Sequence, residues 1–119
     1  MYQYLSENAG DLVAVRTTGK LDPADLDRLL PDIKEKIKQF GKIRFFWELD
    51  DFEGWTPAGF VKDRFFELKH FNDFKRIAIV GEKGWEEKMA TLMKPFTSAA
   101  LKYFDRSQRL QALQWIREA

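Results

Sequence analysis

The chain has 119 residues, of which 45% are hydrophobic and 33% charged, with a formal net charge of +1. This length and balance predict one globular domain with its own core, residues 1–119, and the near-neutral charge argues against nucleic acid as a partner. There is no cysteine, which removes disulfides, thiol catalysis and thiolate metal sites and accords with a reducing cytosol.

Residues 2–6 read as a short strand, Asn8-Ala9-Gly10-Asp11 as a turn and 12–18 as a second strand, which predicts a hairpin. Asp22-Pro23 is an N-cap followed by proline at the first helical position. Leu26, Leu29, Leu30, Ile33 and Ile37 then recur at helical spacing. Pro31 lies inside that pattern and is expected to kink or divide the helix, which Gly41 ends. The basic residues Lys34, Lys36, Lys38, Lys42 and Arg44 read as a solvated helix face and exit turn.

The third strand is expected over 43–50, with Ile43, Phe45, Trp47 and Leu49 on one face and Arg44, Phe46, Glu48 and Asp50 on the other. Thr56-Pro57 opens a second helix that runs to about residue 70. The run 76–81, RIAIVG, is apolar on both faces, as in a central parallel strand. A third helix follows over 84–96, with Trp85, Met89, Leu92, Met93 and Phe96 inward. Residues 99–104 form a fifth strand. Ser107 caps a last helix that turns Leu110, Leu113 and Ile116 inward, with Trp115 beside them.

The predicted order is ββαβαβαβα: an α/β fold with an N-terminal antiparallel hairpin, then parallel strands joined by right-handed helical crossovers. In such sheets ligands settle at the carboxyl ends of the strands. The richest stretch, 44–60, ends there. It holds six aromatic residues (Phe45, Phe46, Trp47, Phe52, Trp55 and Phe60) and the carboxylates Glu48, Asp50, Asp51 and Glu53.

This order resembles the SpoIIAA-like, or STAS-type, fold, and in particular the small bacterial SpoIIAA-like proteins that share fold similarity with CRAL-TRIO lipid-binding domains. The resemblance rests on Gly41-Lys42-Ile43-Arg44 entering the third strand and Phe52-Glu53-Gly54-Trp55 after it. It continues through Asp63, Phe74-Lys75-Arg76-Ile77-Ala78-Ile79-Val80-Gly81, Trp85, Tyr103-Phe104, Ala112 and Trp115. It spans essentially the whole chain. It implies a non-enzymatic module that binds proteins, nucleotides or small ligands. Anti-sigma-factor antagonists of this type carry a phosphorylated Ser or Thr where the helix after the third strand begins. Thr56 is the residue near that place. A helix N-terminus favours a phosphate, whereas the neighbouring Asp50, Asp51 and Glu53 oppose one.

The remaining chemistry is sparse. Asp50, Asp51 and Glu53 match no cation-binding loop, and no metal or cofactor is expected. His70 is the single histidine, placed near a predicted helix C-terminus without a nucleophile elbow. Gly81-Glu82-Lys83-Gly84 has neither dinucleotide nor phosphate-loop spacing. What stands out is a surplus of aromatics. Ala58, Val61, Phe65 and Leu68 share one stripe of the second helix, and Phe60 and Phe66 fall off it on opposite sides.

The expected ligand contacts are therefore Phe52, Trp55, Phe60 and Phe66, with Trp85 and Met89 as further lining. The expected function is a non-catalytic module binding an apolar or lipid-like small molecule. The opening MYQYLSENAGD lacks the basic start and apolar core of a signal peptide, and no apolar run approaches the ~20 residues that cross a bilayer. A cytoplasmic chain is expected, with any membrane contact peripheral at the inner surface. The alternative is a regulatory domain of the anti-sigma-factor-antagonist type, with Thr56 as phospho-switch and a protein partner or a homodimer.

Overall fold

A computed structural model describes residues 1–55, 74–82, 84–94 and 99–118. Within them, five strands form one sheet in chain order: β1 (Tyr2–Tyr4), β2 (Leu12–Leu21), β3 (Ile43–Trp55), β4 (Phe74–Gly81) and β5 (Ala100–Asp105). β1 and β2 are antiparallel, and β2 through β5 run parallel. Helix α1 (Pro23–Phe40) joins β2 to β3, and α2 (Gly84–Met93) lies between β4 and β5. A 3-10 turn (Arg106–Gln108) leads into α3 (Arg109–Arg117). The α/β order and the mixed sheet agree with the reading above. The predicted helix over 56–70 falls outside the described residues.

α1 starts as its sequence requires. Asp22 Oδ1 accepts from the Asp25 amide at 2.9 Å, and Asp25 Oδ2 accepts from the Asp22 amide at 3.2 Å, a reciprocal capping box. Pro31 does not divide the helix. Proline inside a helix costs about 3 kcal/mol, but each buried leucine or isoleucine gains about 1.5–3 kcal/mol. Leu26, Leu29, Leu30 and Ile33 are all buried, so packing on both sides of Pro31 outweighs the lost bond.

Two apolar layers result. Val13, Val15, Ile43, Trp47, Leu49, Ile77 and Ile79 meet Leu29 and Ile33 of α1 and Ala90 of α2. On the other face Leu12, Ala14, Phe46, Ala78, Val80 and Phe104 meet Ala112, Leu113 and Ile116 of α3. β4 contributes to both layers, as a central parallel strand should.

Two helix faces are turned from their predicted positions. On α2, Glu86 and Ala90 are buried, whereas Trp85 and Leu92 are exposed. Glu86 faces in because its Oε1 accepts from the Glu82 amide at 3.0 Å, closing the loop after β4. On α3 the inward set is Ala112, Leu113 and Ile116, and Leu110 points to solvent. Asp105, not Ser107, opens this segment: its Oδ2 accepts from the Ser107 amide and hydroxyl at 3.1 and 2.8 Å.

β3 runs to Trp55, beyond its predicted end at Asp50, and does so with bulges. Its register against β2 steps from Thr18↔Asp50 to Gly19↔Phe52 and then Lys20↔Gly54, leaving Asp51 and Glu53 without partners in the ladder. Asp51 has φ +49°, the left-handed region that asparagine and aspartate tolerate best after glycine. Strict alternation from Leu49 would turn Asp51 and Glu53 inward. The bulge reverses the parity, so Phe52 enters the core beneath Leu49 and both acidic residues face out.

Candidate functional site

The reversed parity assembles a chain of rings across the sheet face covered by α1 and α2. Phe74 stacks on Phe45 (6.0 Å between centroids), Phe45 on Trp47 (6.2 Å), and Trp47 meets Phe52 edge-on at 5.7 Å. Phe52 then stacks on Trp85 at 5.7 Å and 25°. Each such pair adds about 0.5–1.5 kcal/mol to its area burial. The Trp47 indole N–H is satisfied within the core by Thr17 Oγ1 at 3.0 Å. The series begins at buried Phe74 and ends at Trp85, which is 41% exposed at the carboxyl end of the sheet.

The predicted contacts separate accordingly. Phe52 is fully buried between Trp47 and Trp85. The bulge at Asp51 makes this expected ligand contact part of the core, where it backs Trp85. Met89 is partly buried against the same core. Trp85 carries the open face. Trp55 ends β3, but its ring is outside the described residues. Phe60, Phe66, Thr56 and His70 also lie outside them.

Beside Trp85, the carboxyl ends of β4 and β5 and the first turn of α2 enclose a pocket of about 340 Å³. It is lined by Glu82, Gly84, Glu87, Tyr103, Asp105 and Gln108. The Tyr103 hydroxyl is pushed up to about 12, first by burial and then by the negative field of Glu86, Asp105, Glu87 and Glu82. Gly81 ends β4 just before this lining, and a Cβ there would lie 2.6 Å from Glu86 Oε1 and 2.9 Å from the Tyr103 hydroxyl. Arg106 compensates part of the charge by binding Glu82 Oε2 at 3.0 Å and Asp50 Oδ1 at 3.1 Å. Among the described residues no cluster of His, Cys, Asp and Glu is arranged to hold a metal ion.

On the opposite face of the sheet is a network that sequence reading missed. Glu48 is buried, with Oε2 accepting from Arg16 Nε and Oε1 from Arg109 Nε, each at 2.5 Å. Arg109 also reaches Glu7 Oε2 at 3.4 Å and lies over the Phe46 ring. Burial alone would raise the Glu48 carboxyl. The hydrogen bonds and charges of Arg109 and Arg16 outweigh it and hold the group below the ordinary carboxylate range. A signal was present: Glu48 shares a face with Phe46 in a central strand, where a charge needs a partner. A second arginine pair closes the far end of α3. Arg44 Nη1 donates to the Ile116 carbonyl at 2.8 Å and to that of Glu118, and Arg76 Nη1 donates to the Trp115 carbonyl at 2.6 Å. These cations sit where the helix dipole is negative. Arg44 is thus a helix clamp, not part of a solvated basic face.

No described helix is long and apolar enough to cross a membrane. Comparison with curated proteins finds no match. Among chains of known structure, four match. One is an uncharacterised protein of the DUF3478 family with a SpoIIAA-like fold from Shewanella loihica PV-4, 25% identical, with a TM-score of 0.75. That match covers 97% of this chain and 93% of the other. The SpoIIAA-like family model matches residues 12–117, which include the bulged strand, the aromatic series and Glu48 with Arg16 and Arg109. By that match and this sheet, the chain belongs to the SpoIIAA-like family.

Proposed function

We propose that this chain is a non-catalytic binding module whose contact surface is the carboxyl end of its sheet, centred on Trp85. One observation carries the reading: Trp85 is 41% exposed yet held flat against buried Phe52. A ring fixed by its neighbour presents a large apolar area with little side-chain entropy left to lose on binding. The occupant proposed first is an apolar or lipid-like small molecule resting on Trp85 and Met89. Trp55, Phe60 and Phe66 are proposed as its further contacts. Native mass spectrometry of protein purified from cells tests this. A bound lipid or fatty acid lost in Trp85→Ala is the expected result, and bare protein that also ignores added fatty acid would overturn it.

Peripheral membrane contact at the inner surface is proposed with it, through the same exposed Trp85 ring. The second reading is a regulatory domain that docks a protein partner in the manner of anti-sigma-factor antagonists, and the SpoIIAA-like match supports it. Thr56 is its proposed phospho-switch. A mass increase of one phosphate, absent in Thr56→Ala, is the expected result under this second reading, and unphosphorylated protein from cells would remove the switch.

A further inference from the structure

The ladder between β3 and β4 stops short of the carboxyl end of the sheet. Its last pair is Glu48↔Val80. Beyond it, among the described residues, β3 continues against β2 alone to Leu21↔Trp55, and β4 against β5 alone to Gly81↔Asp105. The same register, carried two residues further along each chain segment, sets Asp50 abreast of Glu82. Two carboxylates abreast on neighbouring strands repel, and would part the ends that carry them. Arg106 bridges them: its Nη2 donates to Asp50 Oδ1 at 3.1 Å and its Nη1 to Glu82 Oε2 at 3.0 Å. The backbone of Arg106 is fixed, because Asp105 and Gln108 on either side of it close a reciprocal capping box.

The same two ends carry the stacked rings. Phe52 follows Asp50 across the bulge, and Trp85 follows Glu82 in the loop after β4. The Glu82 amide is in turn tied to Glu86 Oε1, next to Trp85 in the first turn of α2. From this juxtaposition we infer that Arg106 is a positioning residue for the Trp85 surface: by bridging Asp50 and Glu82 it holds the end of β3 against the loop after β4, and so keeps Trp85 flat on Phe52. The inference rests on the reading of Trp85 as the contact surface and adds the residue that holds it ready. Arg106 acts through Trp85 and not on the ligand. Its side chain is 50% exposed, so each ion pair is weak by itself, and the bridge is a latch that can open.

The test uses fluorine NMR of the full chain labelled with fluorotryptophan, with oleate as the binding probe. The Trp85 signal is identified by its loss in Trp85→Phe. In Arg106→Ala this signal is expected to move toward that of a solvated indole, while the Trp115 signal, near the far end of α3, stays in place and reports an intact fold. Oleate is expected to bind Arg106→Ala roughly three- to tenfold more weakly, because apparent affinity falls with the population of the binding-ready state. Adding Asp50→Asn to Arg106→Ala removes the repulsion and is expected to return the signal and the affinity most of the way to wild type. A Trp85 signal unmoved in Arg106→Ala would overturn the positioning role, whatever oleate does. A signal that moves and is not rescued by Asp50→Asn would overturn it too, since lost packing alone produces that. A signal that moves and is rescued, in a chain that binds no oleate in any form, would keep Arg106 in its role and overturn the fatty-acid reading of the surface.

Discussion

Glu48 Oε1 accepts from Arg109 Nε at 2.5 Å, joining residues 61 positions apart in the chain. Because Oε2 binds Arg16, a single carboxylate ties β2, β3 and the start of α3 together. Removing one partner of a buried pair leaves a desolvated charge, at a cost of about 3–5 kcal/mol when both are fully enclosed. Arg16 and Arg109 are about one-third exposed, so Glu48→Ala is expected to cost roughly 2–3 kcal/mol, below that range. Urea denaturation measures it, and a loss under roughly 0.5 kcal/mol would show that solvent already screens the arginines.

The same pair sets an acid dependence. The folded Glu48 carboxyl lies below its ordinary value, which is about 4.3 in an unfolded chain. Its contribution is then complete above that value and lost as pH falls through the lower folded one. Wild type should lose stability more steeply than Glu48→Gln on acidification below about pH 4. Parallel curves for the two proteins would contradict the assignment.

Tyr103 gives the opposite limb. Its pKa rises from 10.0 to about 12, so the neutral hydroxyl is favoured in the folded state. The stabilisation is complete below the unfolded value and disappears as pH rises through about 12. Tyr103→Phe should flatten this alkaline loss, followed by denaturant midpoints between pH 9 and about 12.

Gly81 is a steric probe of the packing between β4, Glu86 and Tyr103. The 2.6 Å and 2.9 Å approaches to Glu86 and Tyr103 mean that Gly81→Ala must move a buried carboxylate or a strand side chain. A loss of about 1–3 kcal/mol is expected, the usual range for overpacking. Unchanged stability would mean that this packing yields freely.

Phe52 and Trp85 touch, yet their substitutions should diverge. Phe52→Ala empties a fully buried site and is expected to cost about 3–5 kcal/mol. Trp85→Ala removes a half-open ring and should cost under about 1.5 kcal/mol while removing the binding surface. A Trp85→Ala protein as unstable as Phe52→Ala would make Trp85 core and end its proposed role.

The chain's local chemistry specified much of the fold. Asp22-Pro23 and Gly41 bound α1, and the doubly apolar 76–81 run placed β4 in the sheet's interior, because caps and periodicity act within a few residues. The family was likewise legible in ordered short motifs. Tertiary structure alone decided three things. A bulge at Asp51, invisible to a period of two, turned Phe52 into the core. Glu48 found its partners on β2 and α3, far away in sequence, and became the charged centre of a buried network. The loop after β4 drew Glu86 inward and thereby rotated Trp85 outward. Burial depends on which elements come to lie against one another, and neither composition nor spacing along one element records that. Trp85, one aromatic residue among many in the sequence, is by that packing the open end of the ring series.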